Sequence, residues 1–553
     1  MKGILALPVI CLIVSSCRAQ TAASTPAQTL QWQASQAQSL YEKHSYVEAA
    51  AVLEKLAADP QITALPDWAN DLYNLACDQA LEGKPAQALA SLKEAFDKGV
   101  VVSLDHLRTD TDLDSLHGDP QFKDLLAQLT KTDALWRDDP ELATPYKPVL
   151  SEEEKVAGLS KFWAESRFNF PFFSRLPELD WDQKYMEYLP QVRGARTTAD
   201  YYRVMMRFAA ELRDGHTEIW PPAELSETLH AAPPFSTRLI EDKVLVTEVY
   251  DPALDALGIR VGTEIVSVDG QPVREYASSA VAPYASGSTL QDRENRTYNY
   301  MLLQGAKDAP LRLTIRNASG ETKSVTAHRF CDPVSKCTWP QKSYAQFKML
   351  PGNIAYLRIN EFEDDLGART MRDHFAAIVQ DRGFILDVRT NTGGDQMNAI
   401  DLLKMLTDKP FHNVNYRTLD YKPSVRATGG RPEWRTEALG DESPDPTHYD
   451  PNPVIVLTGP GTFSAAENFV VVFNAMHRGT LVGETTPGST GDSLIFKIPG
   501  GGAARIMTED IEYPETPVFE GVGIAPQVKV APSVSDIRQG RDAALERALE
   551  MLK

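Results

Sequence analysis

Cysteine is scarce, with 5 in 553 residues, which excludes a disulfide-dense scaffold. None of the five is spaced with histidines as a structural zinc site requires. The chain has no run of lysine and arginine, and its formal net charge is −20. A face that binds phosphate backbone must be basic, so nucleic acid is excluded as a partner. No glycine-rich phosphate loop is present, which sets aside nucleotide chemistry. No stretch reaches the roughly 18 apolar residues of a membrane span. Neither a metal nor a cofactor is expected.

The first residues read as a targeting segment. Lys2 gives a positive start, Gly3 to Val14 is an apolar run too short to cross a bilayer, and Val14-Ser15-Ser16-Cys17 follows. That tetrapeptide fits lipoprotein processing with Cys17 lipidated; ordinary cleavage near Ala19 is the alternative. Either way residues 1–20 are a signal and the protein is exported. The expected location is the periplasm or the outer membrane of a Gram-negative bacterium, where a lipid on Cys17 would anchor it. Cys11 lies inside the signal, and Cys77 sits in a helical pattern as a small buried residue. Cys331 and Cys337 flank a short loop containing Pro333, either as a disulfide or as two unpaired thiols.

At roughly 100–200 residues per domain, a chain of this length holds several cores. Residues 21–28 are small and polar and read as a tether. Residues 30–131 are helical and carry a weak internal repeat, in which Tyr46-Val47-Glu48-Ala49 with Leu53 aligns with Pro85-Ala86-Gln87-Ala88 with Leu92. The segment resembles a tetratricopeptide helix pair, which would recruit a protein partner; a plain helical spacer is the alternative. A linker spans 132–149. Residues 150–225 are helical, opening on the capping box Ser151 with Glu154 and ending at Asp214-Gly215-His216-Thr217. Residues 233–328 are β-rich. Leu257-Gly258-Ile259-Arg260-Val261-Gly262, then Glu264 to Val268 and the tight turn Asp269-Gly270, resemble a PDZ module. Residues 340–553 alternate short apolar strands (354–359, 384–388, 454–457) with helical patterns (366–380, 396–407, 464–476), which indicates an α/β core and a C-terminal helix.

Three segments of this chain carry candidate chemistry. In Pro453 to Glu467 a buried strand meets a Gly/Pro turn, and Ser464 opens a helix, where its hydroxyl can be exposed and the Ala465 N–H can face an oxyanion. Ser464 with Glu467 also reads as a simple capping box. In Asp387-Val388-Arg389-Thr390-Asn391-Thr392-Gly393-Gly394 a strand runs into two glycines, which let backbone N–H groups approach a ligand; a plain turn is the alternative. In Asp214-Gly215-His216-Thr217 the imidazole is a candidate base. His477 competes on sequence distance, but it stands at the far end of the helix that Ser464 opens, too far to touch it.

Taken in order, these segments with Tyr356-Leu357-Arg358-Ile359, Gly483-Glu484-Thr485-Thr486-Pro487-Gly488 and Glu520-Gly521-Val522-Gly523-Ile524 resemble the carboxy-terminal processing peptidase and tricorn core protease family of serine peptidases, over about residues 150–550. The resemblance implies a multidomain α/β protein with a crotonase-like core. Ser464 would be the nucleophile, and the N–H groups of Ala465 and of Gly393 or Gly394 would hold the oxyanion. The processing branch places a lysine base about 25 residues after the serine; that register holds Ser489 here (489 − 464 = 25). The tricorn-like branch uses a histidine, matched by His216, oriented by an acid, for which Glu520 is the best match with Glu512 and Glu515 close by. The residue before the histidine is Gly215, where tricorn has serine. The substrate implied is an extended or unfolded peptide. Two other readings stay open: a catalytically inactive recruitment protein, and a non-peptide acyl hydrolase. The absence of a Gly-x-Ser-x-Gly elbow counts against the second.

Overall fold

The computed structural model describes residues 26–62, 68–100, 102–133, 140–307, 309–330, 344–514, 516 and 518–553. The signal segment with Cys17, the Cys331 and Cys337 pair, and Glu515 lie outside the described residues. The chain divides into two compact units, residues 1–137 and 138–553.

The first unit is helical. Helices Tyr46–Ala57, Trp68–Leu81 and Pro85–Asp97 bury Leu53, Leu56, Leu72, Ala76 and Leu92, which recur at helical spacing along one face. Pro85 opens its helix, where the missing N–H costs nothing. Cys77 is buried as expected, yet its thiol and the Tyr73 hydroxyl both meet Asp110 Oδ2, at 3.8 and 2.7 Å. Burial, with the charges of Glu82 and Asp112, pushes the neighbouring Asp78 carboxyl up to about 7.

In the second unit the helix Glu152–Asn169 opens on the Ser151–Glu154 capping box, with both reciprocal bonds made. The segment between Phe235 and His328 forms an antiparallel sheet in which Phe235–Ile240 is an edge strand. Left-handed residues make its turns: glycines with φ of 72° at Gly258, 86° at Gly262 and 83° at Gly270, and the non-glycines Glu241, Asp242 and Asp269.

The core is a six-stranded sheet ordered Val528–Lys529, Gly479–Gly483, Val454–Thr458, Phe384–Asp387, Ile354–Ile359 and Ala345–Leu350. All neighbours are parallel except the last pair. Helices cover both faces, which is why the central strands read as unbroken apolar runs. Ala355, Leu357 and Ile359 point to one face with the helices Gln396–Met405 and Ala465–Ala475. Ile354 and Tyr356 point to the other, with Ala548 and Leu552 of the C-terminal segment. Three consecutive parallel strands end in the loops that carry Gly393, Ser464 and Ser489. That end of an open parallel sheet is where α/β folds bind ligands.

Candidate active site

Ser464 precedes the helix Ala465–Ala475 but does not cap it: its side chain makes no capping bond, and its backbone sits at φ 59°, ψ −128°. A left-handed serine is strained by about 1–3 kcal/mol and persists only where the surroundings impose it. Gly393 is part of that imposition. A Cβ there would lie 2.6 Å from Ser464 Cβ and 3.2 Å from Ala465 N. The Glu467 side chain turns away from the helix end and accepts bonds from Gly488 N at 2.8 Å, Ser489 N at 2.7 Å and the Thr486 hydroxyl at 2.5 Å. The capping-box alternative for Ser464 and Glu467 is therefore overturned, because each side chain has another partner. Burial pushes the Glu467 carboxyl up to about 8, even against those three donated bonds.

His216 reaches Ser464 through a second piece of architecture. Just after it, strand Glu218–Trp220 pairs with Ala503–Met507, which pairs with Ser493–Lys497. This small sheet joins the segment before the β-rich module to the loop that follows Ser489. Asp214, fully buried, accepts from the His216 N–H and the Thr217 hydroxyl, each at 2.9 Å. The imidazole stacks on Phe463, centroids 4.4 Å apart. Its Nε2 lies 3.0 Å from Ser464 Oγ and its Nδ1 lies 2.8 Å from Ser489 Oγ. Burial, then the nearby Arg505 and Arg296, hold its pKa well below the ordinary imidazole range. The ring is therefore neutral at pH 7 and able to accept a proton. His477, at φ 51° just beyond the helix Ala465–Ala475, is not part of this contact set.

Two expected roles need correction. Glu520 does not contact the imidazole: its carboxyl accepts from Thr490 N at 2.8 Å and meets Arg175 at 3.5 Å. Burial, then the charge of Asp214, raises that carboxyl well above its usual range. A shared loop, residues 488–490, separates Glu520 from His216, and the Ser489 hydroxyl occupies the place on Nδ1. Gly393 approaches Ser464 as expected, but its N–H is donated to Asn391 Oδ1 at 2.9 Å. Among the described residues the N–H groups of Gly394 and Ala465 donate to no protein acceptor. Sequence reasoning marked position 489 only as the register of an absent lysine. That same register was the signal that could have singled out its hydroxyl.

A cavity of about 980 Å³ runs beside this site, between the edge strand Phe235–Ile240 and the Thr458–Gly461 turn. Its lining stops three residues short of Ser464 and includes Arg238, Tyr300, Arg358 and Arg389.

A neutral imidazole on a strained serine, with backbone N–H groups at the end of a parallel sheet, is the arrangement of a serine hydrolase. Residues 353–530 match the model for peptidase family S41. A carboxy-terminal-processing protease of Bartonella bacilliformis is 26% identical over 311 residues, 54% of this chain and 61% of that protein. The chloroplastic C-terminal processing peptidase of Tetradesmus obliquus is 22% identical over 414 residues, 71% of this chain and 80% of that one. Among solved structures, mature CPAF superposes with a TM-score of 0.58 at 16% identity, covering 73% of this chain and 97% of that one, which bears on the fold alone. Residues 353–530 thus resemble peptidase family S41, and the chain is similar to carboxy-terminal processing peptidases over the lengths given.

Proposed function

We propose that this protein is an exported serine endopeptidase that cleaves extended or unfolded peptides through an acyl-enzyme. The observation that carries the reading is the 3.0 Å contact between His216 Nε2 and the Oγ of a serine held at positive φ. Ser464 Oγ attacks the peptide carbonyl carbon while its proton passes to His216 Nε2. The tetrahedral oxyanion is held by the N–H groups of Ala465 and Gly394. Collapse breaks the C–N bond, and His216 returns the proton to the leaving amine. Water, deprotonated by the same nitrogen, then releases the acyl group and restores Ser464.

The β-rich segment serves as a PDZ-like module. An extended peptide lies along the edge of Phe235–Ile240, in the cavity leading toward Gly461. The tetratricopeptide-like helices recruit a partner. Residues 1–20 direct export to the periplasm, with Cys17 as the lipid anchor. No helix among the described residues is long and apolar enough to cross a membrane.

A fluorophosphonate probe tests the reading, alongside cleavage of an unfolded protein. Labelling and cleavage are expected in the parent, none in Ser464→Ala, and a sharp fall in His216→Ala. A folded parent that neither labels nor cleaves would instead be a recruitment protein. Turnover of esters alone would make it an acyl hydrolase.

A further inference from the structure

The catalytic sets considered for this chain end on a lysine or an acid, and neither meets the imidazole. We propose that Ser489 is the positioning residue of the site, its neutral hydroxyl holding His216 in the tautomer that can deprotonate Ser464. The proposal rests on the reading of Ser464 and His216 as the reactive pair.

For Nε2 to accept from Ser464, the one proton of a neutral ring must sit on Nδ1. The side chain that meets Nδ1 is Ser489, whose Oγ at 2.8 Å accepts that N–H. The hydroxyl is completely buried and its backbone is tied on every side. Ser489 N donates to Glu467 Oε2, its carbonyl accepts the Ser464 N–H at 3.1 Å, and the next residue, Thr490, donates its N–H to Glu520 and its hydroxyl to Asn468 Oδ1 at 2.9 Å. One residue thus fixes both reactants, the nucleophile through its carbonyl and the base through its side chain.

The acids around the ring are all engaged elsewhere. Asp214 faces Thr217, Ser288 and the His216 backbone, and Asp292 faces Arg296 and the Ser288 N–H. Glu467 and Glu520 hold the 486–490 loop. Arg296 and Arg505 lie nearby, both donating to the Gly215 carbonyl. The residue before the histidine is a glycine for a matching reason. A Cβ on Gly215 would stand 2.7 Å from Ser489 Oγ, 2.9 Å from the Phe463 ring and 3.0 Å from Asp292 Oδ2. The Ser489 hydroxyl, 25 residues after the nucleophile (489 − 464 = 25), leaves no room for a side chain at 215.

The test is kinetic and spectroscopic, on the full chain. Ser489→Ala is expected to lower kcat and the fluorophosphonate labelling rate about 10- to 100-fold, part of what a positioned base contributes. KM should be unchanged and the melting temperature should stay within about 4 °C of the parent. Ser489→Thr, which keeps the hydroxyl, should recover most of the rate. A Ser489→Ala variant that labels as fast as the parent overturns the proposal. Nitrogen-15 spectra of the parent decide independently of any variant. A proton on His216 Nδ1 at pH 7 supports the assignment, and a proton on Nε2 overturns it. A parent with the Nδ1 proton that nevertheless fails to label would sink the peptidase reading and leave the role of Ser489 standing.

Discussion

The β-rich module and the α/β core both turn the chain sharply through positive φ, and they use it to different ends. In the module positive φ falls on Gly258, Gly262 and Gly270, which adopt it without steric cost, and on Glu241, Asp242 and Asp269. In the core the corresponding strain falls on Ser464, and glycine at 393 is placed opposite to make room for it. The module's turns only redirect the backbone, whereas the core's turn aims a hydroxyl. Positive φ on a side-chain-bearing residue is not enough to single out Ser464, since Glu241, Asp242 and Asp269 share it; the contact with His216 Nε2 is what sets Ser464 apart.

Substitutions at these positions would break the comparison in graded steps. Ser464→Ala should lower peptide turnover about 10⁴-fold or more, since single losses in such sets approach the loss of the whole. Ser464→Gly should be equally inactive but more stable by about 1 kcal/mol, because the strain is relieved; a lower denaturation midpoint than Ser464→Ala would refute the strain argument. Gly393→Ala, with a methyl 2.6 Å from Ser464 Cβ, should cost about 100-fold in labelling rate, comparable to losing an oxyanion donor.

The effect of Glu467 is smaller and depends on pH. Its pKa rises from 4.5 to about 8 on folding. Between those values the folded state holds a proton that the unfolded state has released, so this group's contribution to stability falls as pH rises. Urea midpoints of Ser464→Ala with and without Glu467→Gln should show the Glu-bearing protein losing its advantage from pH 5 to pH 8. The smallest effect belongs to the module. Gly270→Ala meets no atom within 4 Å but keeps a φ of 83°, so it should cost about 1 kcal/mol of stability. Labelling of Ser464 should be unaffected.

Much of the fold was legible because strands buried on both faces leave continuous apolar runs. Ile354–Ile359, Phe384–Asp387 and Val454–Thr458 all lie where such runs occur. The strands Asn415–Asp420 and Glu433–Ala438 left no such trace. They are half-exposed or exposed and hold no continuous apolar run, so they do not stand out as buried strands do. In the site, Ser464 and His216, which meet at 3.0 Å, could be singled out because a serine at a strand-to-helix turn and a histidine after a glycine are distinctive residues in distinctive surroundings. Ser489 could not, because a hydroxyl in a loop is common. Its meaning comes from a small sheet, Glu218–Trp220 on Ala503–Met507, whose pairing is invisible in either strand alone. Glu520 was misplaced for a related reason: a motif match brings an acid near the site without saying which donor it faces.

The separation of 248 residues between His216 and Ser464 has a consequence for biogenesis. Ribosomes add about 5–20 residues each second, so the base emerges many seconds before the nucleophile. The stretch carrying Ser489 and the strand that pins His216 emerges later still. On the proposed reading a nascent chain therefore carries a base with nothing to activate, and the Ser464–His216 pair is complete only when nearly all of the core has been made. On the same reading a chain abandoned before residue 464 has a base and no nucleophile.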